Sequence, residues 1–178
     1  GYTFVGWDTT VPTTMPAGDL TITAQWTANK YEVTLESNGG TVEVASISVS
    51  YDGTYSELPS PSRLGYDFIG WFTESEGGTY ISPDTPVTIT EAQTLYARWT
   101  PAKLAGTVSL SGSGKYGETL TADTSDSTNN TGTLSYQWKR GDEDIEGATS
   151  DSYTLGLDDI GQVISCVVKS SIQTDYLL

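Results

Sequence analysis

The side chains that could do chemistry in this 178-residue chain are few in kind: it has one cysteine, no histidine and 23 acidic residues. Nucleophilic catalysis by serine, threonine or cysteine needs an adjacent base, and the usual triad cannot form without histidine. A single thiol also excludes an internal disulfide and the usual structural zinc sites. Cys166 lies on the apolar side of an alternating segment, which indicates an inert core thiol. We therefore predict no catalytic residue, metal site or cofactor.

The acidic residues are the only plentiful titratable groups. A glycosidase needs two carboxyl groups that face each other across a cleft, with one of them desolvated. Most of the acids here fall in turns or on the polar side of alternating strands, so we expect them to be solvated. Asp142 and Asp144 are close in sequence, but they lack the repeated aspartates and distal glutamate of a calcium loop. Catalysis and calcium binding are therefore weak hypotheses.

The net charge of −15 constrains the partners. An acidic surface repels phosphate, so nucleic acid and anionic membranes are poor partners, and we expect the charge to serve solubility. The sequence also lacks an apolar run of about twenty residues, so we expect no membrane insertion in this segment.

Aromatic rings offer another chemistry, because sugar rings stack on the faces of tyrosine and tryptophan. The tryptophans of the first hundred residues recur at matched positions, which favours a core role over a binding platform. The residues that we expect in hydrophobic cores are Trp7, Trp26, Trp71, Trp99, Trp138 and Cys166. The candidates for exposed rings that contact a ligand are Tyr96, Tyr51, Tyr55 and Tyr80.

A repeated phrase positions these aromatic residues. Residues 1–7 (GYTFVGW) return at residues 65–71 (GYDFIGW), and a closing Ala-x-Trp-Thr follows each copy. Such a repeat predicts tandem structural units rather than one catalytic cleft. We assign residues 1–27 to the C-terminal half of a truncated unit and residues 28–100 to a complete unit. We expect the parent protein to be longer.

Alternation within the complete unit predicts strands and turns. Tyr31, Val33 and Leu35 alternate with polar residues, which indicates a strand with one buried face. Residues 38–40 (NGG) predict a tight turn. The returning strand changes parity near Ala45, which predicts a bulge or break.

The phrase GYxFxGW, the closing Ala-x-Trp-Thr and the opening Tyr-x-Val-x-Leu with Asn-Gly-Gly resemble the Listeria/Bacteroides repeat, the B-repeat of internalin-type surface proteins. The resemblance covers residues 1–100. It implies small β-grasp-like α+β units, used in tandem in secreted or wall-attached bacterial proteins, and it supplies no catalytic residues. Pro59 and Pro61 depart from the usual β-grasp helix, because they allow at most one helical turn.

A different pattern follows a short linker at residues 101–105. Trp138 and Cys166 each lie within an alternating apolar segment, and residues 106–178 resemble a bacterial immunoglobulin-like domain with its core tryptophan and second cysteine. Leu120 and Ala122 stand where the first cysteine would be, so burial alone must hold the sheets together. The predicted fold is therefore mainly β: tandem β-grasp-like units followed by an Ig-like sandwich.

The function that we expect is a non-catalytic stalk or adhesion segment of an exported bacterial cell-surface protein, extracellular or cell-wall attached. Its partners would be a host or bacterial surface protein or a glycan, and exposed strand edges could support weak self-association. Two alternatives are a carbohydrate-binding module and an accessory, non-catalytic region of an exported enzyme.

Overall fold

The computed structural model describes residues 1–14 and 16–178, and it confirms the mainly β prediction. Those residues form strands, turns and one short 3-10 helix, Leu157–Asp159, but no α-helix. The chain divides into two compact units. Unit 1 comprises Gly1–Pro61 and Phe68–Arg98, and unit 2 comprises Ser62–Asp67 and Trp99–Leu178.

Unit 1 contains a separate hairpin and most of a mixed five-stranded sheet. The hairpin pairs β1 with β2, and the mixed sheet has the order β4-β3-β7-β5-β6. The strands are β1 (Tyr2–Trp7), β2 (Ala24–Ala28), β3 (Lys30–Glu36), β4 (Ser46–Ser50), β5 (Tyr66–Phe72), β6 (Tyr80–Ile81) and β7 (Gln93–Pro101).

The mixed sheet places the first and last long strands of the complete repeat side by side. Strand β3 pairs antiparallel with β4 and parallel with β7. Asn38 and Gly39 both have positive φ in the connection between β3 and β4, which glycine and asparagine tolerate best. Strand β4 begins only after Ala45, where the sequence predicted a break.

The segment between β4 and β5 contains no helix. It includes Pro59 and Pro61, and proline within a helix removes a backbone donor and clashes with the preceding turn. A core nevertheless forms beneath the sheet, and Trp71 lies in it with 1% of its surface exposed. The buried apolar residues of unit 1 are Val33, Leu35, Val49, Tyr55, Trp71, Ile81, Val87, Leu95 and Ala97.

Arg98 holds the long turn that connects β5 to β6. Its guanidinium lies 4.1 Å from the centre of the Phe72 ring and donates to the carbonyl oxygens of Glu74 and Gly77. Trp71 and Trp99 lie 28 positions apart, whereas the matching Trp7 and Trp26 lie 19 positions apart. The longer copy of the repeat therefore contains this turn. One cation thus pairs with an aromatic ring and satisfies two turn carbonyls.

Unit 2 contains two antiparallel sheets, with the orders β11-β10-β13-β14 and β12-β9-β8. Their strands are β8 (Ser109–Ser111), β9 (Thr119–Asp123), β10 (Leu134–Arg140), β11 (Glu143–Asp144), β12 (Ser152–Thr154), β13 (Ile164–Ser170) and β14 (Tyr176–Leu177). Both sheets contribute to one core: Leu104, Ala122, Trp138, Cys166, Val168 and Leu177.

A tryptophan on β10 and a cysteine on β13 define the centre of that core. Trp138 and Cys166 face each other as register partners, and both are buried. The indole N–H of Trp138 donates to the carbonyl of Ser150 at 2.9 Å, so the buried donor is satisfied.

The buried side-chain amide of Gln173 bonds with two backbone groups and two hydroxyls elsewhere in unit 2. Gln173 donates through Nε2 to the carbonyl of Gly65 and to Oγ1 of Thr131, at 3.1 and 2.7 Å. Its Oε1 accepts from the Thr131 amide at 2.9 Å and from the Ser170 hydroxyl at 2.9 Å. Because every polar atom of this side chain has a partner, its burial carries little desolvation penalty.

Candidate functional site

The four tyrosines predicted as ligand contacts lie in different environments. Tyr55 is 2% exposed, so it does not present a ring to a ligand, and its hydroxyl donates to Oε1 of Gln93 at 2.6 Å. Burial raises the pKa of Tyr55. The prediction of an exposed ring was wrong for Tyr55 because no alternation surrounds it in the sequence, and its burial depends on residues distant along the chain.

The other three predicted tyrosines do not share one platform. Tyr51 is half-buried and makes an edge-on contact with the ring of Tyr2, with centroids 5.4 Å apart. Tyr80 is exposed and makes a similar contact with Phe72 at 5.5 Å. Tyr96 is half-buried in β7, where it is the register partner of Glu36. Each ring therefore has a different setting.

The predicted core tryptophans divide into buried and exposed residues. Trp71 and Trp138 are almost fully buried, and Trp99 is half-buried. Trp7 and Trp26, by contrast, are 49% and 58% exposed, so the prediction that they fill a core is wrong for this structure. The physical reason is that β1 and β2 form a two-stranded sheet by themselves, with no further strand paired to them among the described residues.

The exposed face of the hairpin is an aromatic cluster. The Phe4 ring contacts Trp7 and Trp26 edge-on, with centroid distances of 5.5 and 5.3 Å. The base of the hairpin is tied to the rest of unit 1, where the Tyr2 hydroxyl donates to Oδ2 of Asp52 at 2.6 Å. That bond is the main reason why the pKa of Tyr2 is raised. The repeat revealed these rings, but it did not reveal that they are exposed.

The thiol of Cys166 is buried, and burial raises its pKa, which disfavours the reactive thiolate. Among the described residues, no group of three or more histidine, cysteine or acidic side chains lies close enough to hold a metal ion. Asp144 instead accepts an ion-paired hydrogen bond from Lys139 at 2.7 Å.

The most constrained carboxylate lies in unit 2, and the sequence analysis did not single it out. Asp159 is buried, and Oδ1 accepts from Nε of Arg140 at 2.7 Å. Its Oδ2 accepts from the hydroxyl of Tyr153 at 2.8 Å and from the amide of Gly156 at 2.7 Å. The only signal in the sequence was the position of this aspartate, directly before an Ile-Gly pair and five positions ahead of the alternating strand β13.

These donors determine the charge state of the carboxylate. Burial alone would raise the pKa of Asp159, but the Gly156 amide, the Tyr153 hydroxyl and the Arg140 guanidinium outweigh burial and hold the pKa below its usual range. The pKa of Tyr153 is raised by burial and by its bond to the same carboxylate. A carboxylate kept ionised with all its neighbours donating is a structural clamp rather than a proton donor.

The described residues contain no helix of the length and apolarity needed to cross a bilayer.

Residues 31–98 match the Listeria-Bacteroides repeat domain, and residues 1–30 match the divergent InlB B-repeat domain. No solved structure matches the chain.

Two curated relatives are similar over part of the chain. Internalin H of Listeria monocytogenes serovar 1/2a is 35% identical over 109 residues, and a protein of Evansella cellulosilytica named as a membrane protein is 32% identical over 107 residues. Each alignment covers 56% of this chain, but only 19% and 16% of the respective relative. The chain thus spans less than a fifth of the length of either protein. Residues 31–98 and residues 1–30 thus each match a repeat family, and together they form a surface-protein repeat region.

Proposed function

We propose that this chain is a non-catalytic stalk segment of an exported bacterial surface protein, and that it displays a binding module of its parent away from the cell. The observation that carries the proposal is the pairing of repeat-family sequence in residues 1–98 with two compact units, each with its own buried residues. Units that fold around their own cores add length without needing partners.

The proposal places the chain in the extracellular space or on the cell wall. Its acidic composition suits a surface that must stay soluble and resist non-specific association. The buried thiol and the lack of histidine argue against a catalytic role. An accessory region of an exported enzyme remains the alternative for the parent protein.

We infer that residues 106–178 are an Ig-like sandwich that follows a linker at residues 101–105. Support comes from the two antiparallel sheets with a shared core and from Trp138 opposite Cys166. Burial takes the place of the missing disulfide in this proposal.

Strand edges are the surfaces through which the stalk would contact proteins. Several edge strands are short: β6, β11 and β14 have two residues each, which limits β-addition. The five-residue β4 and the hairpin of β1 and β2 offer longer edges. Weak self-association or contact with a surface protein would therefore use unit 1.

Cell-surface display of one, two or three tandem copies of the whole 178-residue chain tests the stalk proposal. Each version carries a wall anchor at one end and an epitope at the other. We expect antibody access to the epitope on encapsulated cells to increase with copy number, without new adherence to host cells. Access that does not depend on copy number would contradict a spacing role, and adherence by a single copy would favour an adhesin.

A further inference from the structure

The sheet β11-β10-β13-β14 of unit 2 has an outer face that its core does not use. Alternation sends Trp138 and Cys166 into the core and leaves Gln137 and Val167 on the opposite side. That side forms a groove of about 470 Å³, within the size range of small-molecule clefts. We call it the outer groove, and its defining residues are Gln137, Lys139, Asp142, Val167, Lys169 and Tyr176.

Strand register orders the side chains of the outer groove in rows. Lys169 lies between Ser135 and Tyr176, which are its register partners on β10 and β14. Gln137 and Val167 form the next row. Lys139 is paired with Ser165 four residues along β13 from Lys169, a backbone separation of about 13 Å. The groove therefore has a lysine towards each end and an amide and a valine between them.

The outer groove supplies both donors and acceptors, which is the requirement of a hydroxyl-rich ligand. Each sugar hydroxyl donates and accepts at once. The groove offers the Lys139 ammonium beside the carboxylates of Asp142 and Asp144, and a second ammonium, that of Lys169, towards its other end. Gln137 is held in place because its Nε2 donates to the carbonyls of Trp138 and Ile145, both at 2.9 Å. The same side chain keeps Oε1 as an acceptor.

Charge balance indicates an uncharged ligand. The groove contains two lysines and two aspartates, whereas the whole chain has a net charge of −15. An anionic polymer would be repelled by the rest of the surface, and a cation would be attracted to many other places on it. A neutral ligand with many hydroxyl groups can form hydrogen bonds with the charged side chains of the groove, and the net charge of the surrounding surface neither attracts nor repels it.

One exposed ring completes the outer groove. Tyr176 lies on the edge strand β14 with 52% of its surface exposed, and its neighbour Leu177 anchors the strand in the core. A pyranose ring presents apolar C–H groups that stack on an aromatic face. None of the tyrosines predicted as ligand contacts in residues 1–100 lines this groove.

We propose that the outer groove of unit 2 binds an uncharged oligosaccharide, which stacks on Tyr176 and exchanges hydrogen bonds with Lys169, Gln137 and Asp142. This binding goes beyond the stalk role, since a stalk needs no ligand. The stalk segment would then also attach to a surface that carries such oligosaccharides.

Affinity electrophoresis of the full chain in native gels tests the proposal. Separate gels contain a soluble neutral polysaccharide (xylan, galactomannan or mixed-linkage glucan) or the acidic polymer polygalacturonate. We expect retardation by at least one neutral polymer, and Tyr176→Ala to weaken it about tenfold. Tyr116→Ala is the matched control, because Tyr116 is an exposed tyrosine of unit 2 outside the outer groove.

A second variant covers the case in which Tyr176→Ala disturbs β14. Asp142→Ala removes an exposed turn carboxylate from the outer groove, so it should weaken retardation and leave the near-ultraviolet circular dichroism of unit 2 unchanged. Three results would overturn the proposal: no retardation by any neutral polymer, retardation by polygalacturonate alone, or equal losses in the Tyr116→Ala and Tyr176→Ala variants.

Discussion

The hairpin of β1 and β2 and the pair β5 and β7 carry the same sequence phrase in opposite environments. Trp71 is 1% exposed and its indole donates to the carbonyl of Pro59 at 2.8 Å, whereas Trp7, at the same position of the phrase, is 49% exposed. Both tryptophans contact the phenylalanine three positions earlier. The local aromatic contact is thus a property of the phrase, and burial is not.

Strand length differs between the two copies in the same way. Strand β7 runs for nine residues and β2 for only five. Counted back from the closing tryptophans, residues 20–23 correspond to residues 93–96, which pair with β3. Residues 20–23 have no paired strand and are not in strand conformation. The longer copy of the closing strand therefore has a parallel neighbour, and the phrase alone does not supply one.

Replacement of the two matched tryptophans gives the largest expected contrast. Trp71→Ala should lower the free energy of unfolding of unit 1 by about 3–5 kcal/mol, because it leaves a large cavity and an unpaired Pro59 carbonyl. Trp7→Ala should cost about 1 kcal/mol or less, since that side chain is half exposed. Urea denaturation followed by circular dichroism measures both values, and equal losses would refute the contrast.

Two aspartates, the exposed Asp8 and the buried Asp159, both have lowered pKa values. For Asp8 the main cause is the amide of Thr23 on an exposed hairpin, and for Asp159 burial is outweighed by its donors. Asp159→Ala should destabilise unit 2 by about 3 kcal/mol, because the Arg140 cation loses its partner. Thermal unfolding of this variant beside Asp8→Ala measures the difference, and a larger loss for Asp8→Ala would contradict it.

The lowered pKa of Asp159 predicts how the stability of unit 2 changes with pH. A lowered folded-state pKa adds stability that is fully present above the unfolded-state value, near 3.9, and that is lost as pH falls through the folded-state pKa. Unit 2 should therefore lose stability below about pH 4. Asp159→Asn should flatten this profile in acid titrations of urea midpoints, and an unchanged profile would exclude Asp159 as its source.

The turn held by Arg98 should show the smallest of these effects. Arg98→Ala removes a cation–π contact and two hydrogen bonds, so we expect a loss of about 1 kcal/mol and faster proteolysis between residues 73 and 79. Gln25 occupies the matched position of the first copy, and Gln25→Ala should change neither quantity. Limited proteolysis with mass spectrometry measures the difference, and cleavage at the same rate in both variants would count against the turn assignment.

The sequence predicted those parts of the fold that depend on local pattern. Alternation identified β3, β10 and β13, and the prolines at 59 and 61 correctly argued against a long helix. It did not predict the burial of Tyr55 or the exposure of Trp7. Both depend on which distant residues lie alongside, and a repeat copied in sequence does not copy its neighbours.

The tyrosines predicted as ligand contacts also depend on distant neighbours. The tyrosines in turns had no periodicity to set their direction, so their grouping as ligand contacts was the least constrained prediction. The bond between Arg140 and Asp159 joins residues that are 19 positions apart, and the outer groove depends on the register between β10 and β13. Alternation predicts which side of a strand a residue faces, but it leaves the neighbouring strand unspecified.

Fusion of an added front half of a repeat is the most direct test of what determines the burial of Trp7. A second copy of residues 29–61 is fused through a flexible linker ahead of Gly1, in a background where all tryptophans except Trp7 are phenylalanine. A fused copy in which Val33 and Leu35 are aspartate serves as control. We expect blue-shifted emission and several-fold slower acrylamide quenching of Trp7 with the unaltered copy only. Quenching of Trp7 that the unaltered copy leaves unchanged would contradict the claim that a neighbouring strand determines the burial of this repeated tryptophan.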